Sequence, residues 1–144
     1  MGSCANWFAA LAVGLAWKGQ PVFAIRKEFG FSASHVLDHL PADHPCSRMH
    51  GHNYTVVLEL KAQESGLNEA GFVRDYRDLG EFKAWTDDTL DHRHLNDVII
   101  DLNPSAEQLA RWIFTTWREK LPELVAVSVS ETPKTWAEFR PRVD

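Results

Sequence analysis

A chain of 144 residues can bury about two thirds of its unfolded surface around one core, so a single domain is expected. With 44% hydrophobic and 24% charged residues, mixed signs and a formal net charge of −5, it carries no basic stripe for nucleic acid, and an anionic partner would have to be held by local cations. Two cysteines, Cys4 and Cys46, are too few for a disulfide scaffold, and Cys46 reads as a free thiol in a reducing, cytoplasmic compartment.

The N-terminal stretch CANWFAALAVGLAW is apolar but too short to cross a bilayer. It resembles the apolar core of a signal peptide, yet no basic residue precedes it and no A-x-A-like cleavage site is clear. Residues 1–20 therefore read as an N-terminal extension or leader, and residues 21–144 as the domain proper. VFAIRKEFGFSASH alternates as a strand does: Phe23, Ile25, Phe29, Phe31, Ala33 and His35 share one parity, and Arg26, Glu28, Ser32 and Ser34 take the other. The segment from Val36 to Met49, with two prolines and two aspartates, reads as a loop. HGHNYTVVLELKA is a second strand with His50, His52, Tyr54, Val56, Leu58 and Leu60 on one face. QESGLNEAG is a turn, and FVRDY reads as extended. Helical spacing appears in DLGEFKAWTDDTL, where Leu79, Phe82 and Leu90 share a side. A stronger helix is predicted from about Pro104 to Lys120, with Asn103 as its cap and Leu109, Trp112, Ile113 and Trp117 as its apolar stripe. LVAVSVSET closes the series as a strand with Val125, Val127, Val129 and Glu131 on one parity. This order predicts an α+β domain, an antiparallel sheet with helices packed on one face.

Five of the seven histidines fall between His35 and His52. His50 and His52, two apart on a strand, leave by the same apolar face, and His35 ends the first strand on its apolar parity. If the strands pair, three imidazoles converge at one end of the core. Three neutral nitrogen ligands without a fourth from the protein describe a catalytic zinc site, and no C-x-x-C pair offers a structural one. The plainer alternative is a pair of strand histidines with no metal. His39 and His44 read as solvated loop residues. Cys46, four residues before His50, would close the site as a ligand or act beside it as a thiolate base or nucleophile, and spacing does not choose between the two. Asp91 beside His92 is either an oriented acid–base pair or a solvated helix end. Glu131, at the mouth of an apolar strand face, either binds a planar donor such as a guanidine or 2-aminopyrimidine by two parallel hydrogen bonds or simply reaches water.

Taken in order across about residues 22–140, FGFSASH, C-x-x-x-H-G-H-N-Y, LDH-x-x-LN, NPSAE-x-LA and V-x-V-x-ET resemble the 6-pyruvoyl-tetrahydropterin synthase superfamily, and within it the 6-carboxy-tetrahydropterin synthase branch of queuosine and 7-deazapurine biosynthesis. The resemblance implies that His35, His50 and His52 hold zinc, that Cys46 is a catalytic thiol and not a ligand, and that Asp91 and His92 form the partner acid–base pair. It makes Glu131 the anchor of the pterin's amino-pyrimidine edge, with Ser105 and Glu107 nearby, Ser105 standing where a Thr is usual. The implied fold is the tunnelling fold, a four-stranded antiparallel sheet with two helices on one face. Its sheets join into a barrel in a homo-oligomer, a hexamer of two trimers with sites between subunits. The implied substrate is 7,8-dihydroneopterin triphosphate, converted to 6-carboxy-5,6,7,8-tetrahydropterin with release of acetaldehyde and triphosphate. No nucleic-acid or membrane partner is implied. A 6-pyruvoyl-forming or related pterin side-chain lyase is the enzymatic alternative. A non-catalytic zinc- or pterin-binding protein is the alternative of another class, and it would need none of Cys46, Asp91 and His92. Two positions depart from the family: Val36, where many relatives have Arg, and Trp136, where relatives often have Gly. Lys27 and Arg48 are nominated for the triphosphate from their nearness to the motifs.

Overall fold

The computed structural model describes residues 22–142, so the N-terminal extension expected over residues 1–20 lies outside the described residues. Strands β1 (Val22–His35) and β2 (His50–Gln63) pair antiparallel along their full length, from Val22 opposite Gln63 to His35 opposite His50. Alternation does what the sequence predicts. Phe29, Phe31, Ala33 and His35 of β1, and Tyr54, Val56, Leu58 and Leu60 of β2, are buried on one face. A turn of helix and a loop then lead to α1 (Gly80–Thr89), followed by β3 (Arg93–His94), α2 (Leu95–Val98), α3 (Ala106–Trp117), β4 (Leu124–Thr132) and β5 (Thr135–Phe139). The strand order is β3-β1-β2-β4-β5.

The four expected antiparallel strands are β1, β2, β4 and β5. A fifth, β3, adds two residues parallel to Ala33 and Ser34 at the end of β1. Two residues carry no readable alternation, so no sequence pattern announces it. Aromatic side chains join helices to sheet: Phe82 of α1 lies 4.7 Å from Phe29 and 5.1 Å from Trp117 of α3, and Phe114 lies 5.3 Å from Phe139, ring centroid to centroid. Each such ring, fully buried, stabilises the fold by about 1.5–3 kcal/mol.

Three local readings change. FVRDY forms no strand. Asp75 accepts a hydrogen bond from the Arg77 N–H (2.8 Å) and starts a 3₁₀ turn over Tyr76–Leu79, a capping interaction that outweighs weak extended propensity. The cap of α3 is Ser105, whose hydroxyl accepts from the Gln108 N–H, while Asn103 turns its amide to Asp38. In β4, Val127 and Val129 are buried as expected, but Val125 is half-buried. Glu59 faces Ala126 and Leu60 faces Leu124, which leaves Val125 as the extra residue of a bulge.

Candidate active site

The antiparallel register that sets His35 opposite His50 also brings His52 alongside, and one ring nitrogen from each lies within 4.8 Å of the others. Their tautomers follow from their backbone partners. His35 Nδ1 lies 2.8 Å from the Pro104 carbonyl and His50 Nδ1 lies 2.7 Å from the Arg48 carbonyl. A carbonyl only accepts, so both Nδ1 atoms carry hydrogen, and the neutral rings present lone pairs at Nε2. Those two Nε2 atoms face each other at 3.0 Å. His52 Nε2 is buried with no hydrogen-bond partner. Burial pushes the pKa of His35 down, which favours the neutral ligand form, although its bond to Pro104 pulls the other way. Two lone pairs that face each other and a third buried ring nitrogen without a partner fit a cation with nitrogen affinity such as zinc. Among the described residues this is the one cluster of histidine, cysteine or acidic side chains close enough to hold a metal, and it contains no cysteine.

Glu131 Oε1 lies 3.8 Å from His35 Nε2 and is likewise buried without a hydrogen-bond partner. Its place is not a simple continuation of the valine parity. Val129 pairs with Ala137 and Thr132 with Thr135, so Ser130 and Glu131 of β4 together face the single residue Trp136 of β5. Such a bulge redirects side chains, and the Ser130 hydroxyl pins it by donating to the Thr132 carbonyl. Burial pushes the Glu131 carboxyl up, and Glu107 adds to that, while His52 and His50 oppose it. Glu131, Glu107 and Ser105 line one cavity of about 270 Å³ with Leu37, Thr135 and Trp136. Tyr54, buried beside Phe31 and the histidines, also has an unpartnered hydroxyl, and burial drives its pKa far up.

Asp91 and His92 are coupled. Asp91 Oδ2 accepts from His92 Nδ1 at 2.8 Å, and its Oδ1 accepts from the Ser32 N–H at 2.8 Å. The Ser32 N–H, then His92, hold the Asp91 carboxyl below its ordinary range. His92 adopts a left-handed backbone with φ +56°, uncommon for a side-chain-bearing residue, and its N–H donates to the Ser32 carbonyl at 2.6 Å. This backbone holds the ring out with 82% of its side chain exposed. His92 lines a groove of about 520 Å³ with Ser32, Ser34, Asn53, His52 and His94. That groove and the Glu131 cavity are separate, so one chain does not gather all its candidate groups in one pocket.

Cys46 lies in a 3₁₀ turn over Pro45–Ser47, its thiol free and half-buried. His44, expected to be a bystander, accepts from the Cys46 N–H through Nδ1 at 3.1 Å and so caps that turn. His39 sits in the loop with φ +73°. Lys27 is remote from the histidines. Its ammonium donates to the Tyr76 carbonyl, and eight residues of extended strand separate it from His35, roughly 26 Å. Arg48, by contrast, is beside the site through its carbonyl on His50. Sequence reasoning passed over His94, whose Nδ1 lies 3.0 Å from the Ser34 hydroxyl, and the roles of Asn96 and Asn103. The LN and NP dipeptides of the motifs were the available signal.

Comparison with known proteins bears on this geometry directly. Residues 24–142 match the family model of 6-pyruvoyl tetrahydropterin synthase. The 6-carboxy-5,6,7,8-tetrahydropterin synthase of Synechocystis sp. is 36% identical over 131 residues, covering 85% of this chain and 97% of that protein. The enzyme of the same name from Bacillus subtilis is 31% identical over 133 residues, covering 83% and 86%. In fold, the chain resembles the Caenorhabditis elegans 6-pyruvoyl tetrahydropterin synthase structure with a TM-score of 0.73 at 24% identity, over 85% of this chain and 97% of that one. A sheet that converges three histidines beside a bulge-directed glutamate, and a family match over nearly all the described residues, lead to one conclusion: the chain belongs to the 6-pyruvoyl tetrahydropterin synthase family.

Proposed function

We propose that the protein is a zinc-dependent lyase that converts 7,8-dihydroneopterin triphosphate and water to 6-carboxy-5,6,7,8-tetrahydropterin, acetaldehyde and triphosphate, in the queuosine and 7-deazapurine branch of pterin chemistry. The observation that carries the reading is the convergence of His35, His50 and His52, with one buried nitrogen unpaired, next to the unpaired carboxyl of Glu131. The names of the relatives at 36% and 31% identity support the carboxy-forming branch.

Zinc held by His35, His50 and His52 supplies Lewis-acid polarisation of the substrate's side-chain oxygens. Glu131 receives the amino-pyrimidine edge, whose paired N–H donors give its buried oxygen the partner it lacks, and Ser105 and Glu107 flank that edge. Cys46, as thiolate, takes a proton from the side-chain carbon. Asp91 fixes the Nδ1–H of His92, which leaves Nε2 free to accept and return protons. The free thiol suits a reducing, cytoplasmic compartment. Among the described residues no helix is long and apolar enough to cross a membrane. Residues 21–144 form the catalytic domain in this reading, and residues 1–20 an extension to it.

The same reading has the working form as a homo-oligomer, two trimers whose sheets close into barrels. Two features support it. Among the described residues, β1 has a paired strand on the side away from β2 only at its end, where β3 lies beside Ala33 and Ser34, and β5 forms the opposite edge of the sheet. The Asp91–His92 groove and the Glu131 cavity are also apart, as expected if each site is completed by a neighbour.

Turnover of dihydroneopterin triphosphate, with products identified by mass before and after zinc removal, tests the function. Zinc-dependent 6-carboxytetrahydropterin with acetaldehyde is expected. A 6-pyruvoyl product would keep the site and move the protein to the branch for which the matching family model is described. Tight pterin binding without turnover by the zinc-loaded protein would favour a binding protein.

A further inference from the structure

The backbone between His35 and Cys46 is held by two side-chain amides. Asn96 accepts from the Val36 N–H through Oδ1 and donates to the Val36 carbonyl through Nδ2, both at 2.9 Å. Asn103 does the same for Asp38, at 3.1 and 3.0 Å. Each amide offers one residue the donor and acceptor that a neighbouring strand would offer. Between the two clamps, the Leu37 N–H donates to the Cys46 carbonyl at 3.0 Å. Three consecutive residues after His35 are therefore fixed in turn, and the middle one carries the Cys46 turn.

The clamping residues come from stretches that themselves carry the site. Asn96 lies four residues after His92. Asn103 immediately precedes Pro104, whose carbonyl accepts from His35 Nδ1, and Ser105, which caps α3. The two amide clamps and the Leu37–Cys46 backbone bond, not a strand ladder, register this loop, so losing either clamp loosens the backbone that carries Cys46. The bonds to Asn96 use only backbone atoms of Val36, so they do not depend on its side chain.

We infer that Asn96 and Asn103 are positioning residues that set Cys46 in register with the histidine cluster. The inference rests on the reading of Cys46 as the proton-transferring thiol. A shift of about 1 Å at a reacting group can cost about 100-fold in rate, and the clamps stand between the site and a shift of that size.

The test compares Asn103→Ala and Asn96→Ala with wild type and Cys46→Ala, all zinc-loaded, assayed with dihydroneopterin triphosphate for kcat, KM and zinc content. Asn103 clamps an exposed loop, so its variant keeps the fold and carries the decision even if Asn96→Ala unfolds. The expected result is zinc content as in wild type, KM within about two-fold, and kcat lowered about 100-fold. A general structural role would instead lower zinc content or raise KM along with the loss of kcat, and that result overturns the inference. Wild-type kcat in Asn103→Ala, with Cys46→Ala inactive, also overturns it and leaves the role of Cys46 standing. Full turnover in Cys46→Ala overturns the role of Cys46 itself.

Discussion

His35, His50 and His52 were readable from the sequence because a strand's period of two is rigid: two histidines two apart must share a face, and a third at the end of a paired strand of the same parity must meet them. Asp91 and His92 were not readable in the same way. Adjacent side chains couple only if the backbone turns, and the turn is the left-handed φ of His92, held by the Ser32 backbone from 60 residues away in sequence. Their coupling gives a residue-scale prediction. In Asp91→Asn, the amide oxygen still accepts from the Ser32 N–H and the amide nitrogen is turned towards His92 Nδ1. The imidazole proton then moves to Nε2, the atom proposed to accept protons, and kcat falls about 100-fold or more while zinc content stays unchanged. Retained kcat would mean that the pair is no more than a surface contact. Cys46→Ala belongs at the same scale. Because the three-histidine donor set contains no cysteine, zinc content is expected to match wild type and turnover to be lost. Loss of zinc, measured by metal analysis, would make Cys46 a ligand.

At the scale of elements, strands and helices long enough to show a period were legible, and the pieces that aim the site were not. The bulge that sets Ser130 and Glu131 against Trp136, the two-residue β3 and the amide clamps are all set by cross-chain partners, which no local pattern records. Glu59 is another such case. It alternates to the outward face, yet it is buried there, because Arg26 directly opposite on β1, Lys61 on β2 and Arg140 just past β5 close over it at 2.7, 3.1 and 3.0 Å. Burial alone would raise its pKa, but the three cations hold it at about 2, against 4.5 for a free side chain. The folded state thus binds this proton more weakly than the unfolded chain does. Glu59 therefore contributes stability in full above about pH 4.5, and the contribution is lost as pH falls from there through about 2. Glu59→Gln is expected to cost about 2 kcal/mol at neutral pH and to flatten the loss of melting temperature between pH 4.5 and 2. An acid limb as steep as that of wild type would show that Glu59 is not the group responsible.

For the whole molecule, the central question is why one chain should keep its candidate groups apart. Glu131 opens on the cavity beside the start of α3, whereas His92 stands out over the opposite groove, mostly exposed. A pair meant for proton transfer gains little from water on all sides, since solvent competes for its hydrogen bonds and weakens its field. The arrangement makes sense if a neighbouring subunit covers it, and the stretches of β1 and β5 left as sheet edges among the described residues, with Phe23 48% and Trp136 52% exposed along them, would offer that neighbour a surface. This can be decided by complementation. Cys46→Ala and Asp91→Asn chains, each inactive alone, are refolded together in equal amounts. If a site takes Cys46 from one subunit and Asp91–His92 from the next, some mixed sites receive both native residues, and about a quarter of wild-type turnover should return. If both groups serve the same site from the same chain, every site carries one lesion and no activity returns, whatever the oligomeric state. Sedimentation of the mixture separates that result from a failure to assemble: a mixed oligomer without activity would place the whole acid–base set within one subunit and require the exposed His92 to be covered by substrate alone.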